Sequence, residues 1–389
     1  MNDNIAVFTV YEDKYILVHI TGQKAEHIYV YDSLAADDTG NIINCRVESN
    51  IDNIDASFVR YASKKYGFIN KRIRNGSIMP LMLKKEAYRE KQALFTDRIT
   101  IDGEYVVVTY GAKHIKASSK AGEEARKEYT KIFSDLIGND RYGIIIRTKA
   151  FTDTDGLEKA KEEYILIKAK LCGITEKSGH TPQYTVLYRA LPGFIKDLIY
   201  LTDQGIEKIV TDRQEIKEVL EQSYDHVSKA VNVTDRVGLK MYDDSLLPLT
   251  ACYGLKAKIS EALSRKVYLK SGAYITIDET EALTSVDVNS AGCVFNSDDT
   301  DKTFFRINCE AAAEIARQMI LRNISGMIII DFINMKTEED YLKLEEEIKK
   351  CLYKDREYAK FIDFTGLRLA EITRPRKGRT LYQNLRRQL

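Results

Sequence analysis

From residue 274 to residue 353 the hydrophobic period switches between two and about 3.6, and then does so again. YITIDETEALTSVDVNS reads as a strand, a tight turn and a second strand. FFRINCEAAAEIARQMILRN follows as an amphipathic helix, with Ala311, Ile315 and Met319 in one i,i+4 row and Ala312, Ala316 and Ile320 in the next. SGMIIIDFIN is a nearly continuous apolar strand, the pattern of a strand buried on both faces. EEDYLKLEEEIKKCLY returns to a helix. Strand, helix, strand, helix in that order implies a parallel α/β crossover, because parallel neighbours need a long connection.

That crossover places two acids. In the first strand Ser285, Asp287 and Asn289 share one face while Val286 and Val288 point the other way. In the second, Asp331 shares its face with Met327 and Ile329. An ionised carboxylate among such side chains is costly without a cation or a good donor. Parallel neighbours bring Asp287 and Asp331 together at the carboxyl ends of their strands, where ligand sites of open α/β sheets fall. Two close carboxylates leaving room for several waters suit Mg²⁺, which can polarise a phosphate and activate a bound water. Neutral Asn289 could orient that water or a phosphate oxygen. The pattern alone leaves a second reading equally open, in which both acids end their strands and cap the turns that follow.

Upstream, residues 5–20 alternate as one or two strands, and GNIINCRVESNIDNIDASFVRYASKKYGFI is a run of short strands broken by Asn, Asp and Gly. With Phe58, Tyr61, Tyr66 and Phe68 among basic residues, it suits a small OB-type barrel. YVVVTYG and YGIIIRT form a further β segment around a polar helix near 121–137, and 192–263 turns helical. The 44% hydrophobic and 30% charged composition excludes a disordered chain, and 389 residues suffice for more than one domain. No apolar run approaches the roughly twenty residues of a membrane span, and Met1 to Asn4 is not a secretory start, so a cytoplasmic protein is expected. The six cysteines never form a CxxC pair, which argues against zinc or a disulfide framework and for reduced, mostly buried thiols. The five histidines show no paired-ligand spacing. Net charge is only +1, yet Arg368, Arg374, Arg376, Lys377, Arg379, Arg386 and Arg387 crowd the end, suiting phosphate contacts or simply a solvated tail.

Several of these words resemble the ribonuclease E/G family: ETEALTSVDVNS, NCEAAAEIARQMILRNISGMIIIDFINM and GLRLAEITRPR, with RKVYLKSGAYITID, LYRALPG, YGIIIRT and the segment 40–70 upstream in matching order. The resemblance implies an α+β multidomain chain. An RNase H-like domain, without that enzyme's active site, would occupy 1–37 and 192–262. An S1-type OB barrel would fill 38–97, a sensor of the RNA 5′ end 98–191, and a DNase I-like catalytic domain 263–389. It implies a metal-dependent endoribonuclease cutting single-stranded RNA, with ribosomal RNA precursors and messenger RNA as substrates and 5′-monophosphorylated ends preferred. Asp287 and Asp331 would hold Mg²⁺, or Mn²⁺ in its place, and Asn289 would position the scissile phosphate. Arg147 and Thr148, with backbone from Gly103 and Val107, would grip the 5′ phosphate. Phe58, Phe68 and Lys91 would contact RNA from the barrel. The chain departs from the family in three ways: no zinc-linking CPxC motif, Asn334 where a second acid is usual, and a short barrel segment. No zinc is therefore expected, and a homodimer would have to form without that link. The alternatives are a non-catalytic RNA-binding protein that keeps the fold, and a DNA nuclease.

Overall fold

A computed structural model describes residues 4–35, 38–51, 54–87, 92–118, 121–226, 229–290, 300–376 and 378–385. In chain order the first strands are β1 (Asn4–Tyr11), β2 (Lys14–Thr21) and β3 (Lys24–Tyr31). Then come β4 (Ile42–Ile51), β5 (Ala56–Ala62), β6 (Lys65–Ile69), β7 (Ile78–Lys85) and β8 (Ala93–Thr96). A mixed stretch follows: β9 (Thr100–Asp102), β10 (Val106–Tyr110), β11 (Ile115–Ala117), α1 (Glu123–Ile137), β12 (Tyr142–Ile146), α2 (Lys149–Thr152), α3 (Gly156–Ser178) and β13 (Val186–Tyr188). Next are α4 (Gly193–Asp203), β14 (Lys208–Thr211), α5 (Gln214–Glu221), β15 (Tyr224–His226), β16 (Lys229–Val231), β17 (Gly238–Met241), α6 (Leu249–Cys252) and α7 (Leu255–Ala262). The chain closes with β18 (Lys266–Tyr268), β19 (Tyr274–Glu279), β20 (Leu283–Asn289), α8 (Thr300–Leu321), β21 (Gly326–Asp331), α9 (Glu338–Leu352), β22 (Lys360–Phe364), β23 (Ala370–Arg374) and α10 (Leu381–Leu385).

The chain divides into two units, one of Met1–Leu34, Asp197–Glu221 and Val233–Leu389, the other of Ala35–Lys196 and Gln222–Asn232. The first holds two sheets. One runs β17-β14-β1-β2-β3, with β14 parallel to both β1 and β17. The three helical segments expected in 192–263 form α4, α5 and α7, with strands β14 and β17 between them: KIVT and GLKM are too short to show a period, and pairing with neighbours makes them strands.

The other sheet runs β18-β19-β20-β21-β23-β22. Its β20 and β21 are parallel and joined through α8, as the period switch requires. One face packs on α8 and α9 through Ile275, Ile277, Val286, Val288, Ile328 and Ile330 against Ala311, Ile315, Met319, Leu344 and Ile348. Truncating a buried residue such as Ile315 to Ala costs about 2–5 kcal/mol. Helix α9 starts at Thr337, whose hydroxyl accepts from Asp340 N at 3.2 Å, with Glu338, Glu339 and Asp340 in its first turn and Lys349 and Lys350 in its last. Both ends therefore suit the helix dipole.

The opposite face of this sheet is open. Met327 and Asp331 are exposed while Ile328 and Ile330 are buried, so β21 is covered on one face and not on both. Three consecutive isoleucines hide that asymmetry in the sequence, because an exposed-face Ile329 reads like a core residue.

In the second unit β4, β5, β6, β8 and β7 form a five-stranded barrel, closed by pairing of β7 with β4. Its interior is Ile43, Cys45, Val47, Val59, Ile69, Leu81, Leu83, Ala93 and Phe95. Beside it, β11-β12-β10-β9 packs on α1 and α3 around Phe133, Tyr164, Ile167 and Leu171. The pattern reading did not anticipate α3: only seven of its 23 residues are buried, and its polar positions obscure the stripe. The cysteines also depart from expectation. Among the described ones Cys45 is buried, Cys172, Cys309 and Cys351 are half-buried and Cys252 is exposed, because each follows its element rather than a common core. Cys293 lies outside the described residues.

Candidate active site

Asp287 and Asp331 are in direct register across the parallel pair β20–β21. Neighbouring strands lie about 4.8 Å apart, so the two carboxylates leave adjacent backbone positions on one face. Both are exposed on the open face. Exposure removes the desolvation argument made from sequence: water reaches these carboxylates, and their mutual repulsion, not burial, is what a cation relieves.

Asn289 lies on the same face and donates from Nδ2 to Asp287 Oδ2 at 2.5 Å. The far strand end is fixed from below by Asn308 of α8, itself fully buried. Its amide donates to Ile333 O at 2.8 Å and accepts from Ile333 N at 3.0 Å, which holds the chain just beyond Asp331. Asn334, standing in place of a second acid, is exposed and accepts from the Tyr341 hydroxyl at 3.5 Å.

The donor set is hard oxygen, two carboxylates with a neutral amide beside them, which is what Mg²⁺ takes while keeping several waters. Among the described residues no cluster of three or more His, Cys, Asp or Glu side chains is arranged to enclose a metal. A cation here would thus rely on few protein ligands.

The other proposed contacts fall in the second unit. Arg147 directly follows β12 and is exposed, with Nη2 3.4 Å from Asp102 Oδ1. Thr148 Oγ1 lies 2.8 Å from Ser118 Oγ. Gly103 N–H donates to Val106 O at 2.8 Å, closing a turn, and Val107 is in register with Asp102 on one side and Ile145 on the other. Arg147 N donates to Tyr105 O at 2.8 Å, so the turn and the arginine are tied together.

Sequence reasoning missed what holds that turn. Glu163, on α3, accepts from the backbone N–H groups of Glu104, Tyr105 and Val106 at 2.6, 2.7 and 2.9 Å. Only contact across the fold reveals it; one glutamate in a charged helix carries no signal of its own.

In the barrel Phe58 and Phe68 face each other in register across β5 and β6 and are half-buried. They alternate with Val59 and Ile69, which fill the interior, so both aromatics turn outward. Lys91 lies outside the described residues, as do Lys377, Arg386 and Arg387.

Residues 100–377 match the model of the ribonuclease E/G family. The chain is similar to ribonuclease E of Synechocystis sp., at 30% identity over 90% of this chain and 54% of that protein. It is similar to ribonuclease G of Escherichia coli, at 27% identity over 92% of this chain and 77% of that protein. A ribonuclease E/G-like protein of Porphyra purpurea is 31% identical over 77% of this chain and 58% of its own length. The chain therefore spans about half the length of the ribonuclease E relative and about three quarters of the ribonuclease G relative.

Proposed function

Since the chain belongs to the ribonuclease E/G family, we propose that it is an endoribonuclease hydrolysing single-stranded RNA at Asp287 and Asp331. The observation that carries this reading is the register of the two aspartates, with Asn289 bonded to the first.

In this reading Asp287 and Asp331 hold Mg²⁺, with Mn²⁺ as a substitute. When bound, the cation supplies Lewis-acid charge that polarises a phosphoryl oxygen of the substrate. The chain's own part is placement. Asn289 fixes one carboxylate oxygen of Asp287 and presents a neutral amide to the phosphate, and Asn308 holds the strand end behind Asp331. Water adds its oxygen to phosphorus, the bond from phosphorus to O3′ breaks, and a proton passes to O3′. The products are a 3′ hydroxyl and a 5′ phosphate.

The 5′ end of the substrate belongs, in the same reading, at Arg147 and Thr148. A guanidinium gives a terminal phosphate a two-pronged, charge-assisted contact and the hydroxyl adds one more bond. The turn at Gly103 and Val107 brings backbone close. Phe58, Phe68 and Lys91 serve passing nucleotides by stacking and charge. The architecture proposed is an RNase H-like domain interrupted by the barrel and the 5′ sensor, followed by a DNase I-like domain. Ribosomal RNA precursors and messenger RNA in the cytoplasm are the proposed substrates. No helix among the described residues is long and apolar enough to cross a membrane.

The test uses a labelled, 5′-monophosphorylated, AU-rich single strand with Mg²⁺, with EDTA, and with Asp331→Asn protein. Internal cuts lost in both controls, with RNA affinity kept by Asp331→Asn, are the expected result. Tight binding with no cuts under any condition would replace the nuclease reading by that of an RNA-binding protein.

A further inference from the structure

The open face of the catalytic sheet carries a second set of side chains beside the aspartates. Lys266, Thr276, Asp287 and Asp331 form one cross-strand row, and Tyr268, Tyr274 and Asn289 form the next. The alternate positions Val267, Ile275 and Ile277 are buried, so the residues in these rows turn away from the core. Tyr274 is the direct neighbour of Asn289, and Tyr268 stands one strand further out, about 10 Å from Asn289 by strand spacing.

Tyr268 is 70% exposed, so its ring is open to solvent on this face. The Tyr268 and Tyr274 centroids are 6.1 Å apart at an interplanar angle of 58°. The Lys266 ammonium lies 3.5 Å from the Tyr274 ring centre and 4.8 Å from that of Tyr268. Arg265, next in sequence, is instead committed to Asp278 by two bonds of 2.6 and 2.7 Å. Lys266 therefore presents its charge among aromatic faces rather than to a carboxylate in this row. The hairpin that bears both tyrosines is pinned at its turn: Glu310 of α8 accepts from Lys270 N at 2.6 Å and from Ser271 N at 3.3 Å.

We propose that Lys266, Tyr268 and Tyr274 form a nucleotide subsite, in which a base next to the scissile phosphate stacks on Tyr268 and Lys266 neutralises the adjoining phosphate. This rests on the nuclease reading and extends it to how the strand is held at the cut. Stacking suits any base, because each has a π-face, while the Lys266 ammonium attracts phosphates that the two aspartates would otherwise repel. A single strand enters such a platform with its bases unstacked; a duplex does not.

The experiment uses a short RNA with one cut site and a set of otherwise identical RNAs with an abasic nucleotide at each position around the cut. Cleavage by unaltered, Tyr268→Ala and Tyr268→Phe protein is compared as kcat/KM. The expected result is an about tenfold loss for Tyr268→Ala on intact RNA. An equal loss is expected for unaltered protein on one abasic RNA flanking the cut, with no further loss when the two changes are combined. Phe restores the intact-RNA rate. A loss for Tyr268→Ala that is the same on every abasic RNA, or no loss at all, overturns the subsite while leaving the nuclease reading intact. Unaltered protein that cuts no RNA overturns both.

Discussion

A methyl group on Gly103 would lie 2.4 Å from the carboxyl group of Glu163, closer than side chains approach. The carboxylate occupies that space because it binds the next three backbone N–H groups in turn. Gly103→Ala must therefore displace Glu163 and loosen the turn tied to Arg147. We expect the advantage of 5′-monophosphorylated over 5′-hydroxyl RNA to fall several-fold in Gly103→Ala and in Glu163→Ala. Cleavage of the 5′-hydroxyl RNA should be unchanged. Paired rate measurements on the two RNAs check this, and a larger loss on the hydroxyl substrate would contradict it.

Asn289 tests the site from another side. Its amide donates to the Asp287 carboxylate, and if Asp287 holds the cation as proposed, removing the partner that orients it should cost about 10–100-fold in activity or metal affinity. Asn289→Ala should lower cleavage within that range and raise the Mg²⁺ concentration needed for half-maximal rate. Asn289→Asp should be worse in low Mg²⁺, since it adds a like charge beside Asp287. A magnesium titration of the three proteins decides.

His19 and His27 meet on β2 and β3 with their Nδ1 atoms 3.1 Å apart. Asn4 fixes the protons. Its amide nitrogen donates to Gly205 O at 2.8 Å, so its oxygen accepts from His19 Nε2 at 2.6 Å. His19 Nδ1 is then the acceptor and His27 Nδ1 the donor. Burial pushes His19 from an ordinary 6.5 down to about 4; burial, then the neighbouring His19 and Arg356, pushes His27 to about 3. Below 6.5 the unfolded chain takes up protons that the folded one refuses. The contribution of these two rings to stability is therefore full above pH 6.5 and is lost as pH falls through 4 toward 3. Urea midpoints measured across that window should fall in the unaltered protein and fall less in His19→Gln, where one of the two titrating rings is gone.

Arg374 and Asp355 form a pair each 4% exposed, joined by bonds of 2.8 and 3.1 Å. Arg374 also donates to Ile324 O at 3.0 Å, tying β23 to the approach of β21. Burial raises the Asp355 carboxyl, but Arg374 and two backbone N–H groups outweigh it and leave it below the usual range. Arg374→Met strands a buried carboxylate and should cost about 3–5 kcal/mol in chemical denaturation. Arg374→Met with Asp355→Leu should recover much of that loss, which a double-mutant cycle reads directly.

The crossover that aligns Asp287 with Asp331 was legible because it depends on period and order, which a strand–helix–strand sequence displays openly. The outward aromatics Phe58 and Phe68 were legible only with a family pattern beside them; by composition they look like barrel core, and alternation with Val59 and Ile69 turns them out. Glu163, Asn308 and Glu310 were not legible at all. Each is a polar residue on a helix whose partner is a backbone N–H or C=O far away in sequence, and backbone groups leave no trace in residue identity. The histidine pair was hidden similarly. His27 follows His19 by eight positions, a spacing with no ligand meaning, and they meet only because a hairpin folds one strand onto the next.

Because Asp287 and Asp331 are spaced by the ladder between two central strands, their separation is set by a hydrogen-bonded repeat that no loop can stretch. Such a gauge has no half-open setting. Heat or denaturant should leave it true until the sheet itself parts.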